Sequence, residues 1–143
     1  MSITFADLPL RKSTIDALNA HGFTSPFPIQ EAVLPIALSD GDVIGQAKTG
    51  TGKTLGFGIP IIERIIAPLD SEWEALEFKG QPQALVVVPT RELCVQVTKD
   101  IAELVGNRGI RVLAVYGGRA FEPQIEALDQ GVEIVVGLPV RLT

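Results

Sequence analysis

Cysteine, histidine, methionine, tryptophan and tyrosine occur once each in these 143 residues. A single cysteine, Cys94, excludes an intrachain disulfide and any zinc site built from cysteines. His21 is the lone histidine, so a metal centre of His and Cys ligands is excluded too. Positive charge is also scarce. Twelve Lys and Arg stand against 17 Asp and Glu, a net charge of −5, and residues 1–83 carry −4 of it. That balance argues against a protein that grips nucleic acid through a bulk positive field. Any such contact must come from a few placed groups and backbone amides. No apolar run reaches the ~18–20 residues of a membrane span. Met1–Leu10 lacks the basic start and apolar core of a secretory signal. The expectation is a cytoplasmic chain with no membrane partner, long enough to bury a real core as one domain.

What is present centres on residues 44–55, Ile-Gly-Gln-Ala-Lys-Thr-Gly-Thr-Gly-Lys-Thr-Leu. This reads as a short apolar strand, a glycine-rich turn and a helix start, the order of a phosphate-binding P-loop. Glycines let successive N–H groups turn inward as a nest for an anion, and the helix N-terminus points its positive end there. Lys53 offers a charge to the β- and γ-phosphates, and the Thr54 hydroxyl offers a ligand to Mg²⁺. Ala47 stands where the general pattern has its first glycine.

The spacing of apolar residues predicts a helix over 10–20, closed at Gly22, and a second from Pro28 to before Asp40. Pro35 is expected to kink or end the latter. Gln30, on its first turn, carries a donor and an acceptor side by side, which match N6 and N7 of adenine; alone, such a residue more often caps a helix or faces solvent. Residues 42–45 are expected to form a strand, residues 53–66 a helix buried on more than one face and kinked at Pro60, and residues 68–83 a polar loop. Ala84–Val88 reads as a central parallel strand covered on both faces. A helix over 91–105, a strand over 111–116, a helix over 120–129 and a strand over 132–137 complete the pattern. Strand–helix alternation implies an α/β fold, a parallel sheet with helices on both faces. Ligands then collect at the carboxyl ends of the strands, where the P-loop, Pro89-Thr90-Arg91, Gly117-Gly118 and residues 137–139 can share one rim. Cys94 fits a buried thiol in the helix over 91–105.

Taken together, these residues resemble the first RecA-like domain of the DEAD-box ATP-dependent RNA helicases, of bacterial type, over essentially the whole chain. Residues 47–54 fit that family's Ala-x-Thr-Gly-x-Gly-Lys-Thr loop, which accounts for Ala47. Residues 22–30, Gly-Phe-Thr-Ser-Pro-Phe-Pro-Ile-Gln, fit its Q motif, and Phe5 stands where the family has an upstream aromatic. The resemblance implies a P-loop NTPase of RecA-like fold that binds ATP or ADP with Mg²⁺. It implies nucleotide contacts at Phe5, Phe23, Gln30, Ala47, Lys48, Thr49, Gly50, Thr51, Gly52, Lys53 and Thr54, with Phe5 stacked on adenine and Gln30 hydrogen-bonded to it. Lys53 and Thr54 are the catalytic candidates, and Thr54 the metal ligand. Pro89, Thr90, Arg91, Gly117, Gly118 and Arg141 match segments that line an RNA backbone. From the residues alone, Arg91 serves equally as a helix-start ion-pair residue, and Gly117-Gly118 as a turn.

Two departures qualify the match. Where the family has Thr-Pro-Gly-Arg, this chain has Leu138-Pro139-Val140-Arg141, losing a hydroxyl and a close-approach glycine. The Asp-Glu-Ala-Asp box, the Ser-Ala-Thr segment and the second RecA-like domain are not among these residues. The expectation for residues 1–143 is therefore a partial ATP-binding domain that holds adenine nucleotide with little hydrolysis, since the box positions metal and water. The competing readings are another P-loop NTPase, such as a small nucleotide kinase, and a non-enzymatic adenine-nucleotide-binding module.

Overall fold

The computed structural model describes residues 3–47, 52–117 and 121–139. The chain divides into two compact units, Met1–Arg64 with Glu103–Gly106, and Ile65–Ala102 with Asn107–Thr143.

The first unit is helical: a 3₁₀ turn at Phe5–Asp7, then α1 (Lys12–Ala20), α2 (Pro28–Leu38) and α3 (Lys53–Arg64). The N-cap residue of α1 is Arg11, whose side chain makes no cap. Glu63 of α3 substitutes for it. Its carboxylate accepts the Arg11 N–H at 3.1 Å, a backbone donor of the kind a helix start leaves orphaned, and also the Thr14 hydroxyl at 2.6 Å. Gly22, at φ +80°, ends α1 in the left-handed conformation that glycine tolerates, with Phe23 N–H returning to Leu18 O. Pro28 opens α2 at its first position, where no N–H is required. Neither Pro35 nor Pro60 ends its helix. Val33 and Leu34 of α2 are buried, as are Leu55, Ile59 and Ile62 of α3, each such burial contributing about 1.5–3 kcal/mol. At Gly56 an added Cβ would lie 3.3 Å from Val33 Cγ2, so the missing side chain lets the two helices approach. The buried positions Leu55, Gly56, Gly58, Ile59, Pro60 and Ile62 lie on more than one side of α3, as its composition predicts, with Phe57 exposed.

Residues 42–45 are a correction. They carry no strand assignment, and Ile44 is 100% exposed. A strand exists only through a ladder with a neighbour, and no described residue pairs with this segment.

The second unit is built on a parallel sheet of β1 (Ala84–Val87), β2 (Val112–Val115) and β3 (Ile134–Gly137), in the order β1-β3-β2. It also contains most of α4 (Arg91–Leu104), and α5 (Phe121–Gln130). The central strand is β3, buried at every position. This overturns the reading of residues 84–88 as central. β1 lies at the edge, with Leu85 60% exposed while Val86 and Val88 are buried. An unbroken apolar run says that a strand is buried somewhere, not which of its sides is paired. Cys94 of α4 is buried and donates to Val136 O at 3.3 Å, while Val115, Val132 and Val135 cluster with Leu113. Two ion pairs pin the loops. Arg108 holds Asp70 at 2.6 Å and also Ile65 O. Glu133, fully buried, accepts from both the backbone and the guanidinium of Arg111. Hydrogen bonding to Glu133 raises the Arg111 pKa above its usual value, partly offset by burial.

Candidate functional site

The P-loop corner belongs to the first unit. Gly52 precedes α3 at φ +81°, and its carbonyl accepts the Gly56 N–H. The same carbonyl accepts Gln30 Nε2 at 2.9 Å, while Gln30 Oε1 accepts the Phe27 N–H at 2.9 Å. One side-chain amide thus ties the start of α2 to the start of α3. Gln30 is 0% exposed. A Cβ at Gly52 would overlap Gln30 Nε2 and the edge of the Phe27 ring, so this position requires glycine for space as well as for its φ. Lys53 is exposed at the helix start, Thr54 partly exposed, and Ala47 partly buried. Lys48, Thr49, Gly50 and Thr51 lie outside the described residues.

Phe5, expected beneath adenine, is 1% exposed, with its N–H bonded to Thr24 O. Its backbone is tied to the Q-motif segment and its side chain is buried. Phe23 is exposed just after α1, its N–H bonded to Leu18 O. Among the described residues, no group of three or more His, Cys, Asp or Glu side chains could hold a metal. A divalent cation here would have Thr54 as its protein ligand and draw its remaining oxygens from phosphate and water, the arrangement Mg²⁺ favours. Within the first turn of α3, Lys53 is exposed and Thr54 half-buried, while Leu55 and Gly56 are buried.

In the second unit, parallel register aligns Val87, Gly137 and Val115, so Pro89-Thr90-Arg91, Gly117 and Leu138 all follow the same end of the sheet. Thr90 Oγ1 accepts the Leu93 N–H at 3.1 Å as the cap of α4. Thr90 and Arg91 are exposed, and Gly117 partly so. Gly118, Val140 and Arg141 lie outside the described residues.

Sequence reasoning missed two features. It weighed Gln30 as a helix cap or a base contact and did not find its bond to Gly52 O. It also passed over Phe27, although an aromatic at a helix N-cap, where Ser, Thr, Asp or Asn is favoured, is a visible signal.

Comparison with known proteins adds an independent line. Residues 27–143 match the family model described as DEAD/DEAH box helicase. The chain is 42% identical over 138 residues to the ATP-dependent RNA helicase RhlB of Shewanella denitrificans, covering 96% of this chain and 31% of that protein. It is 44% identical over 140 residues to the ATP-dependent RNA helicase DeaD of Escherichia coli K12, covering 97% of this chain and 21% of that protein. Its structure resembles the crystal structure of a DEAD box protein from the hyperthermophile Methanococcus jannaschii. There the TM-score is 0.84 at 36% identity, covering 99% of this chain and 36% of the other. The chain thus spans about a fifth to a third of the length of these curated relatives. No helix among the described residues is long and apolar enough to cross a membrane.

Proposed function

This chain belongs to the DEAD/DEAH box helicase family as a portion of its N-terminal RecA-like domain, and on that premise we propose that it is the ATP-binding portion of a cytoplasmic ATP-dependent RNA helicase. The observation that carries this reading is the joined corner of Gln30, Gly52 and α3. There a Gly-Lys-Thr sequence opens a helix whose preceding glycine is held in the left-handed conformation by a Q-motif side chain.

Phosphates settle at the N-terminus of α3, where backbone N–H groups and the helix dipole favour an anion. Lys53 adds a point charge, and Thr54 completes the shell of a phosphate-bound Mg²⁺. When bound, that cation neutralises charge on the phosphates. The Q motif holds the base side of adenine nucleotide. Gln30 acts on it by fixing the backbone of Phe27 and Gly52, and its amide meets the base directly only when released from these bonds. The carboxyl end of the second unit's sheet, with Thr90, Arg91 and Gly117, contacts RNA through phosphate and sugar, which carries no base sequence. Gly118 and Arg141 extend that surface in sequence. The longer protein supplies a second RecA-like domain and the acidic box, so residues 1–143 bind nucleotide with little turnover of their own.

Isothermal titration tests this. Mg-ADP binds the wild-type chain, and Lys53→Ala weakens both ADP and inorganic pyrophosphate by about 2–3 kcal/mol, the value of a charge-assisted contact. Gln30→Ala weakens ADP more than pyrophosphate. Equal loss for both ligands in Gln30→Ala would remove Gln30 from the base side. RNA-stimulated ATP hydrolysis by the pure chain would overturn the division between binding and turnover.

A further inference from the structure

We propose that the outer edge of β1 is a pairing surface for a second copy of this chain, joined antiparallel about a two-fold axis at Val86. This goes beyond nucleotide binding and does not depend on it. The sheet ends at β1 on one side and at β2 on the other. Every residue of β2 is buried or half-buried, whereas Leu85 and Val87 of β1 are 60% and 55% exposed. Ala84 and Val88 give their N–H groups to Glu133 O and Gly137 O, along β3. Backbone direction alternates along a strand, so Leu85 and Val87 turn their N–H and C=O groups away from β3. Among the described residues, β1 has no ladder on that side. Outward donors and acceptors in an apolar strip are a template for a further strand.

The strip fits an identical strand. Residues 80–90 carry no charge, so no side chain in them repels its own copy. Pairing about Val86 sets Leu85 of each copy opposite Val87 of the other, an isologous contact in which both outward residues exchange their N–H and C=O bonds. Neighbouring registers are poorer. An axis at Val87 sets Leu85 opposite Pro89, which has no N–H. An axis at Leu85 sets Val87 opposite Gln83, whose N–H is already given to Glu133 O. The Val86 register alone uses every outward group. It also lays Leu85 and Val87 side by side on one face, next to an apolar groove of about 390 Å³ lined by Leu85, Val115, Leu128 and Val135. The strand is four residues long, small against the roughly 20–30 residues a side of a stable interface. The pair is therefore transient and forms as concentration rises.

The test is sedimentation velocity on the whole chain from micromolar to millimolar concentration, with amide hydrogen exchange read along β1. The wild type is expected to pass from monomer to dimer as concentration rises. Exchange at Leu85 and Val87 slows with it, while Ala84 and Val88 stay protected throughout. Val87→Pro deletes an outward N–H and none that is bonded to β3, a change that an edge strand tolerates. It is expected to weaken association roughly tenfold or more, with little change in melting temperature. Val87→Thr keeps the N–H and the branched shape, and still associates. Should Val87→Pro melt early, Val87→Lys sets an ammonium against Leu85 of the other copy and is expected to show the same loss. A chain that stays monomeric over the whole range overturns the proposal. Association that Val87→Pro and Val87→Lys leave unchanged places the contact elsewhere and overturns it too. So does slow exchange at Leu85 and Val87 in a monomer, since the chain's own residues would then cover the edge.

Discussion

Two apolar segments that look alike on paper end differently in the two units. Asp42-Val43-Ile44-Gly45 precedes the P-loop, and Ile134-Val135-Val136-Gly137 forms the middle of the sheet. Ile44 is fully exposed; Ile134 is fully buried. The second segment has a parallel partner on each side, Ala84–Val87 and Val112–Val115, and the first has no ladder among the described residues. Hydrophobicity gives a segment a reason to be buried, and a paired edge decides whether it becomes a strand. The helical unit is held by side chains that reach distant backbone, Glu63 to Arg11 and Gln30 to Gly52. The sheet unit is held by register and by two ion pairs at its loops, Arg108–Asp70 largely buried and Arg111–Glu133 half-buried.

The sharpest test of that contrast is a pair of matched truncations. Ile134→Ala is expected to destabilise by about 3–4 kcal/mol through lost burial and a cavity. Ile44→Ala is expected to stay within about 0.5 kcal/mol. Urea denaturation of both variants checks this, and comparable losses would mean that Ile44 is packed.

A smaller effect is expected at the amino-terminal end of β3. Glu133→Gln removes the charge that Arg111 answers with three hydrogen bonds, and should cost about 2 kcal/mol. The Arg111 pKa is raised in the folded state. That contribution is present below the unfolded-state pKa and is lost only as pH rises through the still higher folded value. The arginine half of the pair therefore stays constant across neutral and mildly alkaline pH. Melts of Glu133→Gln beside wild type at about pH 7 and 10 should show the same gap; a gap that narrows by pH 10 would contradict the sign.

The smallest effect separates the two helix starts. Thr90→Ala removes the cap of α4 and should cost about 1 kcal/mol. Hydrogen exchange at Leu93 and Cys94 reads it locally, where unchanged protection would show that the hydroxyl is not needed.

Much of the candidate site was legible because its signals are local. Pro28 at a helix start, Gly22 at a helix end and Gly-Lys-Thr before an apolar helix each act within a few residues, and each element lies where those signals place it. Gln30 was legible as a capping residue, and its bond to the Phe27 N–H is that cap; its second bond, to Gly52 O, was not. A glutamine amide has no sequence mark to say whether it reaches a base or a carbonyl 22 residues away. Glu63 as the cap of α1, across 49 and 52 residues, left no local trace either. The edge position of β1 was misread because burial pattern and strand order are different quantities.

The sequence by itself determined the α/β class, the helix boundaries to within a residue or two, the P-loop and the family it marks. These follow from periodicity, turn chemistry and fixed spacing, all of which act along the chain. Tertiary structure alone decided that β3 lies between β1 and β2, that Phe5 is buried, and that Gln30 is spent joining Phe27 to Gly52. Those outcomes depend on which groups meet through space, where one buried amide or one paired edge outweighs the preference of any single residue.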